Sequence, residues 1–96
     1  MDPQTGKMIE GTVQDRTKQI LQNLASVLEA AGSDMSRVIK VNIFLTDMGD
    51  FGAMNEVYDT FFTAPKPART CVAVKSLPLG TDVEIECIAS TDSPKL

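Results

Sequence analysis

Arg69, Glu84 and Glu86 are the residues of this chain best suited to anion and acid–base chemistry, and all fall within one stretch, Pro65 to Ala89. Arginine presents a planar fork of donors that meets a carboxylate bidentately. A carboxylate fixed on a strand can position or activate a water molecule. The stretch reads Pro67-Ala68-Arg69-Thr70-Cys71-Val72-Ala73-Val74, then Leu77-Pro78-Leu79-Gly80, then Val83-Glu84-Ile85-Glu86-Cys87-Ile88-Ala89. Two strand-like runs flank a Pro/Gly turn, which predicts a β-hairpin with a longer loop than the tightest type. Such a hairpin would set the cation and the acids on one compact element. From spacing alone, the same residues also make a solvated arginine beside solvated glutamates, the commoner fate of surface charge.

What the chain lacks excludes much other chemistry. It has no histidine, which rules out Ser-His-Asp and Cys-His nucleophilic sites. Its two cysteines, Cys71 and Cys87, do not complete a tetrahedral zinc set and form no Cys-x-x-Cys pair. They suggest no disulfide framework and fit a reducing compartment. No glycine-rich phosphate loop is present. The formal charge is −4, with no basic block, so nothing in the electrostatics invites nucleic acid. No apolar run approaches membrane-spanning length, and the sequence reads without a signal or transit peptide. Ninety-six residues, 43% of them hydrophobic and 23% charged, predict one domain over residues 1–96. A chain of this size buries only about two-thirds of its unfolded surface, and oligomerisation is a common remedy.

The elements that must position these groups follow from periodicity. Residues 1–11 read as a polar loop, with a short strand possible at Met8-Ile9. Thr12 can cap a helix whose first turn carries Asp15. Val13, Ile20, Leu21, Leu24, Val27, Leu28 and Ala31 recur at helical spacing, Lys18, Gln22 and Glu29 fall opposite, and Gly32 supplies a stop. From Val38 to Thr46 the period changes to two. Ile39, Val41, Ile43 and Leu45 form an apolar face predicted to meet the helices; Val38, Lys40, Asn42, Phe44 and Thr46 form a mixed face that suits cover by a partner subunit. Asp50 can cap a second helix carrying Phe51, Met54, Tyr58 and Phe61, which Pro65 and Pro67 would end. In the last strand Val83, Ile85, Cys87 and Ala89 share one face and Glu84, Glu86 and Ile88 the other. Residues 91–96 read as a loose tail. The order (β)-α-β-α-β-β predicts an α+β fold, two helices on one face of an antiparallel or mixed sheet.

Several ordered motifs resemble the Rid family of reactive-intermediate deaminases, also called the YjgF family. They are the Pro67–Val74 run, the Leu77–Gly80 turn and the Glu84–Ala89 strand, together with Asp2-Pro3-Gln4-Thr5-Gly6-Lys7, Val38–Met48 and Phe51–Phe62 with Asn55, Glu56, Val57 and Tyr58. The resemblance runs from Met1 to about Ala89. It implies a Rid-like (chorismate-mutase-like) fold, homotrimers with sites in the clefts between subunits, a cytoplasmic or mitochondrial setting, and no metal or cofactor. It implies hydrolysis of small carboxylated 2-imino or enamine acids to 2-keto acids and ammonia. Arg69 matches the arginine that grips the substrate carboxylate, Glu84 the acid that handles water, and Cys71 a position lining the site whose backbone contacts substrate. Typical members carry two further N-terminal strands, with a tyrosine and a Ser-Gly-Gln run, so the resemblance implies an N-terminally truncated version. Two other functions stay open: a non-catalytic ligand-binding or chaperone-like oligomer, and an RNA-directed translation inhibitor, against which the acidic charge weighs.

Overall fold

Helix α1, Val13–Ala30, begins at a reciprocal cap: the Thr12 hydroxyl accepts from the Asp15 N–H at 3.2 Å, and the Thr12 N–H donates to the Asp15 carboxylate at 3.1 Å. Gly32, at φ +82°, carries the chain out of the helix in a conformation that suits glycine. This is a computed structural model, and it describes residues 11–63 and 66–91. The short strand anticipated at Met8-Ile9 and the tail from residue 92 onward lie outside those residues.

After α1 come strand β1 (Val38–Leu45), helix α2 (Phe51–Phe61), strand β2 (Ala68–Ala73) and strand β3 (Val83–Ala89). The sheet order is β2-β1-β3, with β2 parallel and β3 antiparallel to β1. The chain is therefore α+β, two helices packed against a mixed three-stranded sheet among the described residues. The core joins Leu21 of α1 and Met54 and Tyr58 of α2 to Val41, Ile43 and Leu45 of β1 and Val83 and Ile85 of β3.

The hairpin expected of the Arg69 and Glu84 runs does not form. Both strands pair with β1 and neither pairs with the other. Helix α2 makes β1-α2-β2 a crossover unit, which requires β2 to lie parallel to β1. The chain then crosses the end of β1 and returns along its other edge. The crossing passes Leu79 and Gly80, both at positive φ (60° and 71°), and is pinned where Val74 N–H donates to Leu45 O at 2.8 Å and Thr46 N–H to Asp82 O at 3.2 Å.

Three smaller expectations also change. A register shift between Val38 and Lys40 turns Val38 into the core and leaves Ile39 57% exposed, because a bulged residue breaks the two-residue alternation. Val27 sits at the rim of the buried stripe of α1 and is 62% exposed. The Asp50 side chain makes no capping hydrogen bond; Asp47 instead caps the short turn before α2, accepting from Gly49 N–H at 2.8 Å.

Candidate functional site

Arg69 stands in register with Val41, whose side chain is buried under the helices, so its own side chain leaves the sheet on the helix side. There α2 receives it. The guanidinium carbon lies 4.9 Å from the centroid of the Tyr58 ring and 5.3 Å from that of Phe51, so two aromatic faces attract the cation. Its Nη1 donates to the Asn55 side-chain oxygen. Phe51, Asn55 and Tyr58 recur at helical spacing on α2, which is why one helix face can hold one guanidinium from both rings and amide. No carboxylate pairs with Arg69 among the described residues. A cleft of about 390 Å³ opens beside it, lined by Asn55, Tyr58, Asp59, Lys66, Pro67 and Arg69. Lys66 Nζ and Asp59 Oδ1 pair at 2.6 Å on its wall.

Cys71 lies two residues on, in register with Ile43, and faces the same side as Arg69. Burial pushes its thiol pKa up, with Arg69 opposing only in part. A protonated thiol is a poor nucleophile, which agrees with a lining position. Cys87, also half-buried, has its thiol raised by burial alone.

Glu84 and Glu86 point the other way. Glu84 is in register with Phe44 and Glu86 with Asn42, on the sheet face away from the helices. Their environments differ. Glu86 accepts from Asn42 Nδ2 at 3.1 Å, while Glu84 is exposed and has no hydrogen-bond or ion-pair partner among the described residues. Glu84 borders a separate cleft of about 280 Å³ between α1 and the β3 edge, with Arg16, Ile20, Leu79 and Val83.

The three candidate residues therefore divide. Arg69 and Cys71 share one face of one edge strand, and Glu84 occupies the opposite face of the other. Sequence reasoning did not anticipate the Asp59–Lys66 pair on the Arg69 cleft, nor the two-pronged pair in which Arg16 Nε and Nη2 donate to Asp82 at 2.7 and 2.6 Å. Arg16 and Asp82 lie 66 positions apart and meet only through the fold, whereas Asp59 and Lys66 are seven apart, on α2 and on the segment that follows it. Among the described residues no group of three or more histidine, cysteine or acidic side chains is gathered for a metal ion.

The whole chain, rather than this arrangement of side chains, is what comparison with known proteins matches. A family profile described as Endoribonuclease L-PSP matches residues 1–91. The chain belongs to this family, the Rid or YjgF family. It is 59% identical over 87 residues to the mitochondrial protein mmf1 of Schizosaccharomyces pombe, covering 88% of this chain and 54% of that protein. It is 46% identical over 89 residues to the mouse 2-iminobutanoate/2-iminopropanoate deaminase, covering 93% of this chain and 66% of that enzyme. The structure of Escherichia coli TdcF with bound serine superposes with a TM-score of 0.84 at 43% identity, over 91% of this chain and 70% of that one. The chain thus spans between about half and two-thirds of the length of these two curated Rid relatives.

Proposed function

We propose that this chain hydrolyses reactive 2-imino acids and their enamine tautomers to 2-keto acids and ammonia. The observation that carries the reading is Arg69: a guanidinium held between two aromatic rings and an amide, beside a cleft, with no acid of its own among the described residues. That is a cation kept for an anionic ligand. Arg69 grips the substrate carboxylate, and Cys71 lines the same side. Water adds its oxygen to the imine carbon while Glu84 takes a proton from it and passes one to nitrogen. The carbinolamine then collapses: the hydroxyl proton moves to nitrogen, the C–N bond breaks, C=O forms and ammonia leaves. No histidine exists to perform that shuttle. Because Arg69 and Glu84 face opposite sides of one sheet, the working site takes Glu84 from a second copy. A homotrimer with its sites between subunits supplies that geometry. Support for the chemistry comes from the mouse relative named a deaminase and from the serine-bound neighbour. The mitochondrial relative supports a mitochondrial setting, with the cytoplasm as the alternative.

Two other readings have observations behind them. The separation of Arg69 from Glu84 within a chain favours a non-catalytic carboxylate-binding oligomer. The family description favours RNA cleavage, against a net charge of −4. Steady-state hydrolysis of a freshly generated imino acid decides. Arg69→Ala should lose at least about tenfold in kcat/KM with the fold intact, since a charge-assisted hydrogen bond contributes about 1.5–3 kcal/mol. Unchanged hydrolysis in Arg69→Ala overturns the reading. Ligand binding without turnover selects the binding protein, and salt-dependent RNA retention selects the third reading.

A further inference from the structure

We infer that Lys66 and Asp59 set how tightly Arg69 holds a carboxylate, although neither touches the guanidinium. The inference rests on the carboxylate-anchoring reading of Arg69. Asn55 and Asp59 are four residues apart on α2 and so stand one above the other. Asn55 gives its oxygen to Arg69 Nη1 and turns its Nδ2 toward Asp59 Oδ2, 3.4 Å away. Asp59 in turn accepts from Lys66 Nζ at 2.6 Å. The result is a line of alternating charge along one cleft: ammonium, carboxylate, amide, guanidinium. The amide has one favourable orientation in that line. Reversed, it would turn its NH₂ toward the arginine and its oxygen toward the aspartate. Asp59 thereby fixes the amide, and the amide occupies one edge of the guanidinium and leaves its other donors to the cleft.

The same geometry carries a hazard. Asp59 is a carboxylate one amide away from the cation that must receive a carboxylate. Left alone, its charge would oppose the incoming ligand and offset part of the attraction of Arg69. Lys66 removes that opposition by pairing with it. The pair is solvent-accessible, with side chains 47% and 48% exposed, so it contributes little to stability. Its effect is on the cleft: Lys66 and Asp59 are tuning residues for ligand affinity.

The test is the dissociation constant of pyruvate, a small 2-keto acid, followed by NMR titration at low and high salt. Lys66→Met should weaken pyruvate binding by about three- to fivefold at low salt, with the deficit shrinking as salt screens it. Lys66→Arg, which keeps the charge, should bind as wild type does. Adding Asp59→Asn to Lys66→Met should restore the affinity, because the charge that needed neutralising is gone. Wild-type affinity in Lys66→Met at low salt overturns the inference, as does a double variant no better than the single one. Arg69→Ala, run alongside, separates the two levels. If it loses pyruvate binding while Lys66→Met does not, only the tuning role falls. If Arg69→Ala binds pyruvate normally, the anchoring role falls and this inference with it.

Discussion

Arg69 and Glu84 lie on opposite faces of the same sheet. Arg69 is in register with Val41 on the helix side of β2, and Glu84 is in register with Phe44 on the far side of β3, with β1 between them. If one small substrate uses both groups, as proposed above, each would come from a different copy. Mixed assemblies give a direct prediction. Arg69→Ala and Glu84→Gln chains should each be nearly inactive alone. Refolded together, they should regain a substantial fraction of wild-type imine hydrolysis, because some clefts then pair an intact Arg69 with an intact Glu84. Mixtures that stay as inactive as their components would place both groups in a single-chain site or remove one from catalysis.

The two carboxylates of β3 should behave differently on substitution. Glu86 accepts a hydrogen bond from Asn42, and Glu84 has no partner among the described residues. Glu84→Gln should lower kcat by about a hundredfold, a typical value for general acid–base groups, with ligand affinity little changed. Glu86→Gln keeps an acceptor oxygen for Asn42 and should stay within about twofold of wild type, as befits an exposed polar contact. Equal losses in both variants would show that the strand, rather than the Glu84 carboxylate, was being probed.

Asp82 should carry a pH-dependent part of the stability. The two-pronged hydrogen bond from Arg16 holds its carboxyl below the usual carboxylate range, with burial opposing. A carboxyl whose folded pKa is depressed contributes fully above its unfolded value, near 3.9, and the contribution fades as pH falls through the folded value. Asp82→Asn should therefore cost about 1.5–3 kcal/mol at pH 7, the range for a charge-assisted hydrogen bond. The gap to wild type should narrow as urea midpoints are measured at successively lower pH, below about 4. A gap that is constant with pH would assign the loss to packing.

Local pattern accounts for much of what the chain builds. Thr12 and Asp15 form the cap that their spacing announces, and Val83 and Ile85 share one face of β3 as read, the face that the structure buries. Strand order was not legible in the same way. The Pro78–Gly80 turn between two strand-like runs looks local, but the pairing of β2 is decided by α2, which precedes it and makes it a parallel neighbour of β1. For the same reason the distance between Arg69 and Glu84 could not be read from the fifteen positions separating them. The bulge that exchanges Val38 for Ile39 leaves no mark in composition, since both residues suit either face. Asp59 and Lys66 look like ordinary surface charges until the fold brings them onto the cleft of Arg69.

Tyr58 gives the last prediction, because it holds two roles that can be separated. Its ring supports Arg69 and stacks against Phe62 at a centroid distance of 4.6 Å. Its hydroxyl is buried, and no hydrogen-bond partner meets it among the described residues. Burial raises its pKa, with the charge of Arg69 opposing, so the group stays a neutral phenol at pH 7. A buried, unpaired hydroxyl costs about 1–3 kcal/mol of desolvation. Tyr58→Phe keeps the aromatic face and removes that cost, and should raise stability by about 1 kcal/mol, seen as a higher urea midpoint with an unchanged slope. Tyr58→Leu removes the face as well. It should lower stability and weaken pyruvate binding, because Arg69 then loses one of the two rings that hold it. If Tyr58→Phe proves destabilising, the hydroxyl is satisfied by a bound water or by a partner copy, and the gain forecast for its removal is wrong.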